Sequence, residues 1–189
     1  VLERAALIAA ARKGDWTKLP DILAYFSRTN REEIQTVSLV RLLASCPADD
    51  KWPALRRLAD DASPLVRAGV VEALGERLDR ANADVLLKAV GDDYRLVRVR
   101  AAAALAAIPE DRLPEDARRR VRDAMAELMD SMKARPDDMS SHYNLGNFHM
   151  TRGQMPEAVA EFETATRLQP EALPPYVNAA LAYNALGQN

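Results

Sequence analysis

His142 and His149 are the two histidines of a 189-residue chain, seven residues apart in "HYNLGNFHM". On a helix such a pair shares one face and invites a metal or a haem. At 1.5 Å of rise per residue, however, the two lie roughly 10 Å apart along the axis. One metal with bonds of about 2.0–2.1 Å cannot join both. They read instead as packing residues; the other use is an axial haem ligand supplied to a neighbouring domain. Cys46 follows an apolar helical run and precedes Pro47. It reads as a buried thiol, and a single cysteine leaves the redox compartment open. Asp60, Asp61 and Asp92 are the clustered carboxylates that could do acid–base work, and helix capping is the competing use. "ARRRVR" at 117–122 and the trio Arg95, Arg98 and Arg100 are basic clusters. Holding a phosphate would need them to converge on one concave surface, and Glu115, Asp116 and Asp123 compensate the first cluster. There is no CxxCH, P-loop, GxSxG, HExxH or dinucleotide fingerprint. No cofactor and no catalytic centre are expected.

The elements that carry these residues are helical. Hydrophobic residues make up 48 % of the chain but aromatics only 5 %. Ala, Leu, Arg and Glu, which lose least on entering a helix, dominate. Alternating β-branched runs are missing. The net charge is −2, so no strong field draws the molecule to nucleic acid or to a membrane. Residues 1–112 hold 18 Lys or Arg against 17 Asp or Glu, and residues 113–189 hold 8 against 11. No apolar run approaches the ~20 residues that span a bilayer. No signal peptide is visible. The chain opens in mid-pattern at Val1 and reads as a piece of a longer protein.

Two internal periods organise it. In the first half the period is 31. "DASPLVRAGVVEALG" from Asp61 lies over "DDYRLVRVRAAAALA" from Asp92, and "NREEIQTVSLVRLLA" from Asn30 fits more loosely. Leu65, Val66, Arg67, Ala73 and Leu74 match Leu96, Val97, Arg98, Ala104 and Leu105; Ile34 and Leu39 take equivalent places. These residues are expected to form a buried stripe. Each unit is a pair of short helices with a capping Asp or Asn between them. Such pairs bury their faces only by stacking. In the second half the period is 34: His142, Asn144, Gly146, His149 and Gly153 lie over Tyr176, Asn178, Ala180, Tyr183 and Gly187. Small residues at Gly146, Ala158 and Ala165 let helices approach, and Leu145 and Phe162 fill the gaps. Between the halves, Pro114 opens a helix of about five turns towards Arg135.

The pattern D-x-x-P-x-V-R-x-x-A-x-x-A-L resembles HEAT repeats. That resemblance implies Asp–Arg pairing between neighbouring repeats, with Asp61, Arg67, Asp92 and Arg98 at the matching positions. Thr36 stands where the first repeat would carry its Arg, so the ladder is expected to stop there. Leu145, Gly146, Ala158, Phe162, Ala165 and Pro170 resemble the signature of the tetratricopeptide repeat (TPR), covering 139–170 and, at 173–187, the first helix of a second unit. The expected architecture is all-α: an α-α superhelix (solenoid) of HEAT-like helix pairs at 1–112, a connecting TPR-like helix at 113–136, and TPR helix pairs at 137–189.

The TPR resemblance implies a concave groove lined by Asn144, Asn147 and Asn178, with Tyr143 and Arg152 beside them. Asn amides there can hydrogen-bond an extended peptide; plain surface polarity is the other reading. Tyr143 and Pro174 occupy places where carboxylate-clamping TPRs carry basic residues. The expected role is a non-catalytic scaffold for a protein or peptide partner, with no nucleic acid and no membrane segment. A HEAT-type enzyme or lyase subunit, or a phosphate-binding HEAT face, is the alternative. The HEAT-then-TPR order also resembles the C-terminal region of bacterial multihaem c-type cytochromes, which implies the periplasm; without that resemblance the cytoplasm is expected. The second TPR, lacking its second helix, is expected to expose an apolar face open to self-association.

Overall fold

The computed structural model describes residues 2–188, the side chains of 2–4 excepted. Eleven α-helices follow one another, and there is no strand among the described residues. They are α1 (Leu2–Arg12), α2 (Leu19–Phe26), α3 (Glu33–Leu42), α4 (Lys51–Leu58), α5 (Pro64–Leu74), α6 (Arg80–Ala89), α7 (Arg95–Leu105), α8 (Glu115–Met132), α9 (Met139–Thr151), α10 (Met155–Leu168) and α11 (Leu173–Ala185). They form two compact units, Val1–Leu105 and Ala106–Asn189. The expected HEAT-like part ran to 112; residues 106–112 lie in the second unit.

In the first unit α1, α3, α5 and α7 pack side by side, and α4 and α6 pack behind them. This is the layered stacking of an α-α solenoid, in which each pair buries its apolar face against the next. Ile22, Tyr25, Leu39, Leu55, Val70 and Leu105 are almost fully buried at its centre. The helix starts follow from the sequence. Ser63 caps α5 by accepting the Val66 N–H at 3.3 Å, with Pro64 in the first turn, where its missing N–H costs nothing. Asp79 caps α6 through the Asn82 N–H at 2.9 Å. The buried Tyr25 hydroxyl takes the Glu32 N–H at 2.8 Å, ahead of α3.

Lys51 is 4 % exposed, and no carboxylate pairs with it among the described residues. Its ammonium donates to the carbonyls of Leu43, Ala44 and Cys46 at 2.8, 3.3 and 2.6 Å. It thereby ties together the 3-10 turn Leu43–Ser45 that follows α3 and the start of α4. Cys46 is buried there, as expected of a structural thiol.

The expected buried stripe needs one correction. Val66, Leu74, Val97 and Leu105 are buried, but Ile34, Leu65 and Leu96 are 69, 42 and 42 % exposed. All three occupy the second position of α3, α5 and α7; in α5 and α7 the next residue, Val66 or Val97, is buried, since one residue turns the helix by about 100°. Their 31-residue regularity marks an outer row.

In the second unit α9 and α10 form the tightest pair, with α11 against α10 and α8 against α9. Ala158, Phe162 and Ala165 are fully buried, and a Cβ on Gly146 would lie 2.4 Å from Phe162 Cε1. The small-against-large packing read from the sequence is therefore present between α9 and α10. It is not repeated one period later, because Ala180 is exposed. In α8, Ala124 and Leu128 are buried and Ser131 is exposed. α8 ends at Met132, three residues before the expected Arg135. Gly153 and Gly187, 34 residues apart, both have positive φ, 72° and 70°. The residue after each donates back to a carbonyl five residues earlier, Gln154 to His149 and Gln188 to Tyr183, the bond that ends a helix at a left-handed residue.

Candidate functional site

Along the loops that precede α3, α5 and α7 runs a ladder of charge. Arg67 grips Asp92 with two hydrogen bonds, Nε to Oδ2 at 2.7 Å and Nη2 to Oδ1 at 2.9 Å. The same guanidinium donates to the Asp61 carbonyl at 2.8 Å. One repeat on, Arg98 donates to the carbonyls of Asp92 and Asp93 at 2.8 and 3.0 Å. Asp61 and Asp92 also accept the N–H two residues ahead, from Ser63 at 2.8 Å and Tyr94 at 2.9 Å. Each Asp thus shapes its own loop and holds the neighbouring repeat. The Arg67 hydrogen bonds hold the Asp92 carboxyl below the usual carboxylate range, against an opposing push from burial, and Asp92 in turn raises Arg67.

The ladder does not stop at the first repeat. Thr36 is buried and turns its hydroxyl to the Glu32 carbonyl at 2.7 Å. Arg31, five residues earlier, pairs with Asp61 in its place. The signal in the sequence was an Arg displaced into the loop. These bonds also occupy the acids considered for catalysis: Asp61 and Asp92 hold repeats together, and Asp60 pairs with Lys88 at 2.6 Å. The basic clusters are engaged likewise. Arg100 pairs with Glu72, Arg122 lies 3.1 Å from Glu110, and Arg118 donates to backbone carbonyls. No group of His, Cys, Asp and Glu suited to a metal occurs among the described residues. No helix of the described residues is long and apolar enough to cross a membrane.

The asparagines lie in the second unit. Asn178 on α11 donates its amide to Asn147 Oδ1 at 2.7 Å and to the Tyr143 hydroxyl at 3.2 Å, both on α9. Three of the five groove residues therefore form one polar cluster across two helices, each partly exposed. The bond leaves the Asn147 Nδ2 donors and the Asn178 Oδ1 acceptor without a partner among the described residues. Asn144 is exposed on the turn beside Tyr143. Arg152 is not with them. It follows Asn147 by five residues, which at 3.6 per turn is well round the helix. Its Nη1 lies 3.9 Å from Met125 Sδ on α8, and its guanidinium 5.6 Å from the Phe148 ring centroid.

The histidines, expected as packing residues, also make polar contacts. His142 Nδ1 meets Glu161 Oε2 on α10 at 2.6 Å, and Nε2 meets the Pro136 carbonyl at 2.9 Å. Both partners only accept, so the imidazolium, with two N–H donors, satisfies both. Burial disfavours that cation, but the Glu161 and Pro136 bonds outweigh it and raise the His142 pKa above its ordinary value. His149 Nδ1 lies 2.9 Å from Gln154 Oε1 at the turn into α10. Sequence alone gives His142 a packing role; its contacts to Glu161 and Pro136 come from tertiary structure. Tyr183, the partner of His149 by period, donates to Glu163 at 2.5 Å, which raises the phenol pKa.

Comparison with known proteins bears on the first unit. Residues 19–106 match the family model described as HEAT repeats. No curated protein and no solved structure matches the chain. The all-α, repeat-stacked architecture of the first unit and its Asp–Arg ladder accord with that match.

Proposed function

We propose that this protein is a non-catalytic interaction scaffold whose α9–α11 face holds an extended segment of a partner protein. HEAT repeats typically build such scaffolds, because stacked helix pairs present a long continuous surface. The single observation that carries the peptide reading is the Tyr143–Asn147–Asn178 cluster. It fixes two side-chain amides at the surface, with one donor group and one acceptor left for a peptide backbone, and Asn144 stands beside it. Pre-set amides lose little freedom on binding, which favours affinity. The TPR resemblance of 139–187 supports the same face. If the resemblance to multihaem cytochromes extends to the parent protein, the partner is one that a redox domain must be held against.

The test is selection of displayed random peptides on the full chain, repeated with Asn147→Ala and Asn178→Ala. Selected peptides are expected to bind the wild type at least about tenfold more tightly than either variant, a difference of roughly 1.4 kcal/mol. Equal binding by both variants, or no peptide enriched, overturns the reading.

The outer face of α11 gives a second contact, with another copy of the chain. Leu173, Val177 and Leu181 are 74, 58 and 54 % exposed at helical spacing, with Tyr176 among them. No charged residue lies between Leu173 and Gln188, so the face meets its own copy about a two-fold axis without repulsion.

A further inference from the structure

We propose that the second unit carries a binding site for a small amphipathic monocarboxylate, in the cavity between residues 108–113, α8 and the end of α9. The cavity has a volume of about 300 Å³ and is walled mainly by Ile108, Leu113, Val121, Met125 and Met129. Its charged lining is Glu110, Arg122 and Arg152. Glu110 and Arg122 lie 3.1 Å apart and neutralise each other. Arg152 has no carboxylate partner among the described residues. Its guanidinium is steadied by the Phe148 ring and by Met125 sulfur instead of by a counter-ion. An apolar pocket with one unopposed, oriented guanidinium at its edge is complementary to a molecule with an apolar body and one negative head. Arg suits that head because its planar fork meets both carboxylate oxygens.

Size and chemistry narrow the occupant. Ligand pockets run from about 300 to 1,000 Å³, so this one takes a short chain or a single ring. The unbranched thioethers of Met125 and Met129 adapt to either. A dianion would leave its second charge facing Glu110. A peptide backbone would find few polar partners among the apolar walls, and its desolvated N–H and C=O groups would go unpaired. A neutral apolar molecule would leave Arg152 unused.

Octanoate and its neutral amide are the probes, and the methionine methyl groups are the readout. The chain has six methionines, and two of them wall the cavity. In the full chain with labelled methionine methyls, octanoate is expected to shift the Met125 and Met129 signals saturably and to leave Met139 and Met155 in place. Octanamide should bind at least about tenfold more weakly, as expected for loss of a charge-assisted hydrogen-bonded pair. Arg152→Gln should bring octanoate down to the level of the amide, and Arg152→Lys should restore part of the difference. Ala126→Leu, at the cavity edge, should weaken both ligands. The proposal is overturned by equal affinity for acid and amide, by an Arg152→Gln variant that binds octanoate normally, or by shifts spread over all six methionines. Tighter binding of a peptide with a free carboxylate at the same two methionines would overturn it in favour of a protein partner.

Discussion

Arg67 and Asp92 are joined by two hydrogen bonds, 2.7 and 2.9 Å long, with side chains only 14 and 13 % exposed. Such a pair is shielded from water, and removing one member strands the other. Arg67→Met is expected to cost about 2–3 kcal/mol in urea unfolding of the first unit, and a double-mutant cycle with Asp92→Asn should return a coupling of about 1–3 kcal/mol. Because the Asp92 pKa is lowered by folding, its contribution is complete above the unfolded value of about 3.9 and is lost as pH falls through the folded one. A cycle that closes at zero coupling would remove the ladder from the energetics.

Two helical glycines should respond with opposite signs. A Cβ on Gly146 would lie 2.4 Å from Phe162 Cε1, whereas one on Gly69 would meet Val37 Cγ1 at 3.5 Å, an ordinary contact. Gly146→Ala is expected to destabilise the second unit by about 1–3 kcal/mol through overpacking, with partial rescue by Phe162→Leu. Gly69→Ala should stabilise the first unit by about 0.5–1 kcal/mol, the helix preference of Ala over Gly. Thermal unfolding of the two variants reads both.

His142 links the second unit to pH in the alkaline direction. Its folded pKa is raised, so its stabilisation is complete below the unfolded value of about 6.5 and fades as pH climbs through the folded value. Urea midpoints of the wild type should therefore drop across that window, while those of His142→Phe, which keeps the ring but no proton, stay level. Parallel profiles for the two proteins would detach the imidazolium from stability.

Sedimentation should show a weight-average mass that rises with protein concentration, through the α11 face. Leu181→Glu places a charge on an uncharged helix and is expected to hold the chain as a monomer. A wild type of constant monomeric mass at every concentration contradicts the contact.

What could be read from sequence was what repeats itself. The 31-residue period located α5 and α7, and the 34-residue period located the Gly153 and Gly187 helix ends. Small residues at Gly146, Ala158 and Ala165 signalled the close α9–α10 approach. What escaped was set by reach in space. Arg31 supplies a rung from five residues outside the aligned position, because a long guanidinium side chain is not bound to one column. Arg152 looked like a neighbour of Asn147, but rotation about the helix turns it to α8. The exposed Leu65 and Leu96 stand one residue before the buried Val66 and Val97, and that single step of about 100° carries them to the outer face. The cavity beside Arg152 is walled by segments up to 44 residues apart, from Ile108 to Arg152, and no local pattern announces it.

The ladder also makes the first unit's two edges differ in how far salt can reach them. At the loops before α3, α5 and α7, short and shielded bonds fix the distance from one repeat to the next. At the far ends of those helices the rung from Arg77 to Asp49, 2.6 Å long, is exposed at both partners, where water and salt weaken it. Raising the ionic strength should therefore loosen the Arg77–Asp49 rung well before the shielded Arg67–Asp92 one, so that salt acts unequally on the two edges of the unit.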